Sequence, residues 1–257
     1  MNAIRFGAQS ANTFSFVLRL ADSALIASQR MAEWCGLAPT LEEDIALSNV
    51  ALDLLGQARH LFTYASELEG AVRDEDELAF LREPHEYLNY VVVELPNGNF
   101  AQSCTKSFLF SAFIERVWLS LLDGNDLRLR DIAAKSLKET NYHLDHFSRW
   151  FIRLGDGTET SRQKILDGLD YLWPYTTEFF DSDRVLLDLE EVLKMNTESL
   201  KTGWIQSVSK VFAGADIDLP PTPDFVCSGK YGVHSEHLGH ILTEMQYLQR
   251  TYPGGQW

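Results

Sequence analysis

The chain has 257 residues, with 22 Lys+Arg against 37 Asp+Glu and a formal net charge of −15. Hydrophobic residues make up 45% and aromatics 12%, enough apolar material for a buried core, which excludes wholesale disorder. The acidic balance excludes a nucleic-acid binder, whose affinity rests on a basic footprint, and equally a ligand of anionic membrane surfaces.

Met1 to Asn12 hold one arginine and scattered polar residues, without the apolar core of a secretory signal. No uncharged apolar stretch approaches the roughly 20 residues of a membrane span. The chain is expected to be soluble, with residues 1–13 loosely held. Cys35, Cys104 and Cys227 form no CxxC pair, so neither a disulfide framework nor a zinc knuckle is readable. A reducing cytoplasm is the expected compartment.

Helical periodicity then runs through most of the length. Phe14 to Trp34 reads as a helix, closed by Gly36-Leu37-Ala38-Pro39. Thr40-Leu41-Glu42-Glu43 has the form of a capping box, with Thr40 and Glu43 each satisfying a backbone amide of the other. Val50, Leu54, Ala58, Leu61, Ala65 and Leu68 follow at spacings of three and four, one face of a long second helix antiparallel to the first. The acidic stretch Glu67 to Glu77 is expected to be a solvated connection. Tyr87 to Leu95 is rich in Val and Tyr but short and isolated, and Pro96-Asn97-Gly98-Asn99 closes it. It is read as an irregular crossover.

From Phe100 to Trp173 there is no proline, and two helices fit, Phe100–Leu122 and Leu127–Leu154, the second ended by Gly155. Further helices are expected over Ser161–Phe180, Val185–Asn196, Glu198–Phe212 and Ser235–Thr251. No solenoid repeat or low-complexity linker divides the chain. The layout is that of one all-α domain over residues 1–257, a ferritin-like four-helix bundle with one long connection and additional C-terminal helices.

Such bundles often hold two metals, using a Glu from each of two helices and a Glu-x-x-His from each of the others. The seven histidines are His60, His85, His143, His146, His234, His237 and His240. Three residues before them stand Gln57, Arg82, Thr140, His143, Tyr231, His234 and His237, and none is acidic. Weaker constellations remain. Glu139 and His143, with His146 nearby, lie within two turns. Their alternative role is a helix-surface hydrogen bond. His234, Glu236, His237, His240 and Glu244 cluster in the last helix, as ligands or, in the favoured reading, as a helix-start hydrogen-bond network or a subunit contact. Asp53 and Gln57 form a polar pair inside an apolar helix and need partners. No nucleophile elbow, P-loop or dinucleotide fingerprint is present.

Several longer stretches are more specific than any of these. They include Ser28-Gln29-Arg30 with Glu33-Trp34-Cys35-Gly36, Leu52-Asp53-Leu54-Leu55-Gly56-Gln57-Ala58-Arg59, and Pro96-Asn97-Gly98-Asn99-Phe100-Ala101. Tyr142-His143 and His237-Leu238-Gly239 with Glu244-Met245-Gln246-Tyr247-Leu248-Gln249-Arg250 complete the set. In these the chain, from about Phe16 to Trp257, resembles the non-catalytic C subunits of multicomponent phenylacetyl-CoA epoxidases.

The resemblance implies that a paralogous A subunit holds the di-iron centre on the same fold. The A subunit's ligand positions correspond here to Ala24, Leu54, Gln57, Thr140 and His143, with an acidic ligand near Ser111. Only His143 keeps a ligand type, so the resemblance implies a degenerate, vestigial metal site, with no catalytic or cofactor-binding residue in this chain. It also implies a structural role: pairing with and stabilising the A subunit and supporting binding of the CoA thioester. A B subunit and a flavin and iron–sulfur reductase complete a system that epoxidises phenylacetyl-CoA with oxygen and NADPH in aerobic phenylacetate breakdown. The alternative is an independent metalloenzyme built on Glu139 and His143.

Overall fold

The computed structural model describes residues 2–255, and among them it is all-α, with no strand and a lone bridge between Ser228 and Val233. Helix α1 (Asn2–Ala32) starts before the predicted Phe14. Met1 lies outside the described residues. Helix α2 (Leu41–Glu69) begins where the cap predicts: Thr40 accepts a hydrogen bond from the Glu43 amide at 3.3 Å. It ends at Gly70, whose φ of 82° is the left-handed conformation that closes a helix without a Cβ penalty.

The acidic stretch after α2 is more ordered than its charge suggests. Asp74 and Glu77 form a reciprocal capping box that starts α3 (Glu75–Phe80). Arg73 binds Glu69 through two hydrogen bonds of 2.6 and 3.0 Å. The sequence Asp74-x-x-Glu77 is itself a capping signature, hidden inside a run of like charges. Beyond it the chain runs extended through Tyr87–Tyr90, makes one turn, α4 (Val91–Glu94), and reaches Pro96.

Helices α5 (Phe100–Leu122) and α6 (Leu127–Gly155) follow with the predicted bounds, capped by Asn99 and Asp126. Then come α7 (Glu159–Leu172), α8 (Arg184–Leu193) and α9 (Thr197–Gly214). The predicted helix to Phe180 instead tightens into a 3-10 segment over Trp173–Phe180, because Pro174 has no amide to donate to the α-helical ladder. The last predicted helix is two, α10 (Glu236–Met245) and α11 (Tyr247–Thr251), broken at Gln246.

The chain divides into two compact units, Met1–Pro96 with Ser228–Trp257, and Asn97–Cys227. Each is built on one long hairpin, α1/α2 in the first and α5/α6 in the second. In the second unit, α7 and α9 pack on α5 and α6 over an aromatic core: Phe113 stacks on Phe179 at 4.3 Å, and Phe108, Phe151 and Phe212 contact one another. Each deep indole N–H there has an acceptor, Trp118 on Thr140, Trp173 on the Pro221 carbonyl and Trp204 on the Leu109 carbonyl, as burial requires. Gly168 lets α7 approach α5 closely, since a Cβ there would meet the Gln102 Cα at 3.2 Å.

In the first unit the crossover lies in the core. Tyr87, Asn89, Val92 and Glu94 are fully buried. An extended buried segment has no ladder of its own, so each backbone polar group needs an outside partner. Helix α1 supplies several. Asp22 accepts from the Leu88 amide at 2.8 Å, Ser23 from the Tyr90 amide at 3.2 Å, and Arg30 donates twice to the Glu94 carbonyl at 2.7 and 3.0 Å.

Arg82 anchors the same region. It pairs with Asp22, both side chains being 2% exposed or less. It also donates to the Leu78 and Glu86 carbonyls and lies over the Tyr87 ring at 4.1 Å. Gln246, the residue at the α10–α11 break, donates to the Arg82 carbonyl and the Tyr87 hydroxyl at 2.8 and 3.0 Å. The side chain at the break thus reaches into the core. Truncating Arg82→Ala strands Asp22 as a buried charge and is expected to cost about 3–5 kcal/mol in urea unfolding, with part recovered on adding Asp22→Asn. A loss below about 1 kcal/mol would show that the pair does not anchor the crossover.

Candidate functional site

The positions that the resemblance gives as metal ligands lie on their helices' buried faces. In the first unit, Ala24 on α1 and Leu54 and Gln57 on α2 are 8% exposed or less. In the second, Ser111 on α5 and Thr140 and His143 on α6 are 7% exposed or less. Ala24 and Leu54 contribute only hydrocarbon. Thr140 is engaged as the acceptor for the Trp118 indole at 3.2 Å. Ser28 on α1 donates to the Ala51 carbonyl of α2 at 2.7 Å, a polar tie between the hairpin helices about one turn from Leu54.

The weaker constellations resolve differently. Glu139 and His146 are half-buried beside the buried His143 on α6, and Asp53 is half-buried beside the buried Gln57 on α2. Among the described residues no three His, Cys, Asp or Glu side chains group so as to hold a metal ion. The cluster in the last helix does not act as one either. His240 and Glu244 are exposed, Ser235 caps α10 by accepting from the His237 amide, and His234 turns into the core.

His234 belongs to a buried polar site of the first unit, which sequence spacing could not reveal because the histidine and Glu94 lie 140 residues apart. The Glu94 carboxylate, fully buried, accepts from the Ser235 amide at 2.6 Å and from Asn89 Nδ2 at 2.8 Å, and faces His234 Nδ1 at 2.8 Å. The other ring nitrogen, Nε2, faces the Tyr87 carbonyl at 2.8 Å. Both partners accept only, so satisfying both requires two N–H groups, the imidazolium. Burial alone would push the His234 pKa down. The Glu94 hydrogen bond and charge, the Tyr87 carbonyl and Asp22 outweigh it and raise the pKa above its ordinary 6.5. Chemically the site is a clamp: a cation held between a carboxylate and the crossover backbone.

Comparison with known proteins places the fold. The family described as phenylacetic acid catabolic protein matches residues 5–257. The chain is also 44% identical over 247 residues to the C subunit of the 1,2-phenylacetyl-CoA epoxidase of Escherichia coli (strain K12), covering 95% of this chain and 98% of that one. The chain belongs to the phenylacetic acid catabolic protein family. Its all-α fold is the one expected from the helical periodicity and from the resemblance to ferritin-like C subunits. No helix of this family member, among the described residues, is long and apolar enough to cross a membrane.

The clamp makes stability pH-dependent with a definite sign. The folded-state pKa of His234 is raised, so its contribution is fully present below the unfolded value near 6.5 and is lost as pH rises through the higher folded value. The melting temperature of the native chain is expected to fall on going from about pH 6 into the alkaline range, and more steeply than for His234→Gln, which cannot titrate. Parallel curves for the two would contradict the charged clamp.

Proposed function

We propose that this chain is the non-catalytic C-type subunit of a phenylacetyl-CoA epoxidase, acting in aerobic phenylacetate catabolism. It pairs with and stabilises a di-iron A subunit and supports binding of the CoA thioester, with a B subunit and a flavin and iron–sulfur reductase completing a cytoplasmic complex. The observation that carries the reading is the occupancy of the inward ligand positions: Ala24, Leu54, Gln57 and Thr140 keep the buried placement of a ferritin-like interior and none of its carboxylates. Buried positions that lack carboxylates fit a partner to a subunit that has them. The relative's designation as the C subunit of an epoxidase supports the same assignment.

The acidic chain, at −15, is a poor primary binder for the phosphates of a CoA thioester, so the partner supplies most of those contacts. The metalloenzyme alternative on Glu139 and His143 lacks a third donor among the described residues. In a complex reconstituted with an A subunit, His143→Ala is expected to leave epoxidation of phenylacetyl-CoA within about twofold of the native rate. A loss of about 100-fold or more with assembly intact would restore the metalloenzyme reading. Tagged native chain co-expressed with the A subunit should recover a stoichiometric complex; its absence would overturn the subunit assignment.

A further inference from the structure

The chain leaves the first unit at Pro96 and returns to it at Ser228, so the final segment keeps its place there through non-covalent contacts. Its hydrogen bonds fall on one short strip of the first unit. Ser235 and His234 meet Glu94, His234 also meets the Tyr87 carbonyl, and Gln246 and Arg250 both donate to the Arg82 carbonyl. Arg250 reaches Glu83 as well, at 3.0 Å. The turn that opens the segment fits the same strip backbone to backbone. Gly232 has a φ of 78°, and a Cβ on Gly229 or Gly232 would run into the carbonyl oxygen of Asn89 or His85.

The apolar contact beside these polar ones is thin. Helix α10 buries Leu238, Ile241 and Leu242, and α11 buries no side chain. Segments with little apolar burial open first, so the polar contacts decide whether this one stays closed. His234 stands where the glycine turn passes into α10, with an acceptor of the strip at each ring nitrogen. A neutral ring has one N–H, so one of the two contacts becomes a lone pair facing an acceptor. The fully buried Glu94 carboxylate then loses its compensating charge.

The surrounding groups leave this control with His234. Glu94 on α4 and Asp22 on α1 both favour the cation, Asp22 being itself paired with Arg82. Burial pushes the Tyr87 hydroxyl far above its ordinary pKa, so that group stays neutral. Arg19 on α1 and Lys230 lie over the Tyr231 ring at 5.9 and 5.7 Å. Glu83, His85 and Glu86 on the strip are exposed, as are Glu236 and His240 on α10, and His237 is half-buried.

We propose that the segment from Ser228 through α11 is a strap that opens as a unit ahead of the rest of the first unit, with protonated His234 as its latch. Loss of the proton releases the strap and uncovers the Tyr87–Glu94 crossover while α1 and α2 stay folded together.

Hydrogen exchange of the full chain, read by mass spectrometry at about pH 6.5 and about pH 9.5 and corrected for intrinsic rates, tests this. Protection of the α10 amides is expected to fall by about tenfold or more at the higher pH, the size of one lost hydrogen bond to a charged group. Protection in α1 and α2 should stay within about twofold. His234→Gln is expected to show the low α10 protection at both pH values. Should that variant fail to fold, the native chain still decides: the His234 ring, followed by NMR, should titrate with the same midpoint as the loss of α10 protection. Equal α10 protection at both pH values, or a pH-dependent loss in His234→Gln as large as in the native chain, would overturn the latch. Loss of protection in α1 and α2 in step with α10 would overturn the strap.

Discussion

A buried chain segment with no ladder of its own persists only where its amides and carbonyls find partners elsewhere, and the first unit is organised around that constraint. The crossover from Tyr87 to Leu95 is almost completely enclosed. Its backbone is held by Asp22, Ser23 and Arg30 from α1 and by His234 from the start of the C-terminal segment. Two buried ion pairs, Asp22 with Arg82 and Glu94 with His234, set the charges of those partners. Buried pairs of this kind are weak sources of net stability against an apolar substitute, yet costly to break singly. Their role here is specificity: they fix where a non-helical strip crosses a helical core, and they tie Glu94 to His234 across 140 residues of chain.

A carboxylate cluster in a bundle core is held together by the metal it binds, and without a metal it is a set of like charges in low dielectric. On the proposed subunit reading, Ala24 and Leu54 place hydrocarbon where the A subunit has ligands, and Thr140 takes a neutral hydrogen bond from Trp118 instead. The buried charges of the crossover are compensated within the first unit and serve its fold. On the proposed subunit reading, electron transfer, oxygen and substrate chemistry belong to another chain, and what this one offers is shape and surface.

Much of this is legible from residues alone. The cap at Thr40, the uninterrupted run from Phe100, and the missing acid three before every histidine are local patterns, and local patterns survive without coordinates. What escapes are features decided across long separations or by competition between rules. The Glu94–His234 clamp joins residues with nothing in their neighbourhoods to announce each other, and proximity in sequence groups His234 with His237 and His240 instead. The stop at Gln246 depends on a carbonyl at Arg82, the 3-10 segment on where Pro174 falls within an otherwise helical pattern, and the α3 cap is masked by the charge of its own residues.

On the proposed subunit reading, this chain has buried residues at the ligand positions of a di-iron bundle and binds no iron. Anaerobic titration of the isolated, folded chain with Fe(II), followed by metal quantification after desalting, tests it directly. The account predicts no saturable uptake and no change in melting temperature with iron, because a ligand that bound the native state would raise it. Saturable retention of a pair of irons per chain, with a matching rise in melting temperature, would contradict it.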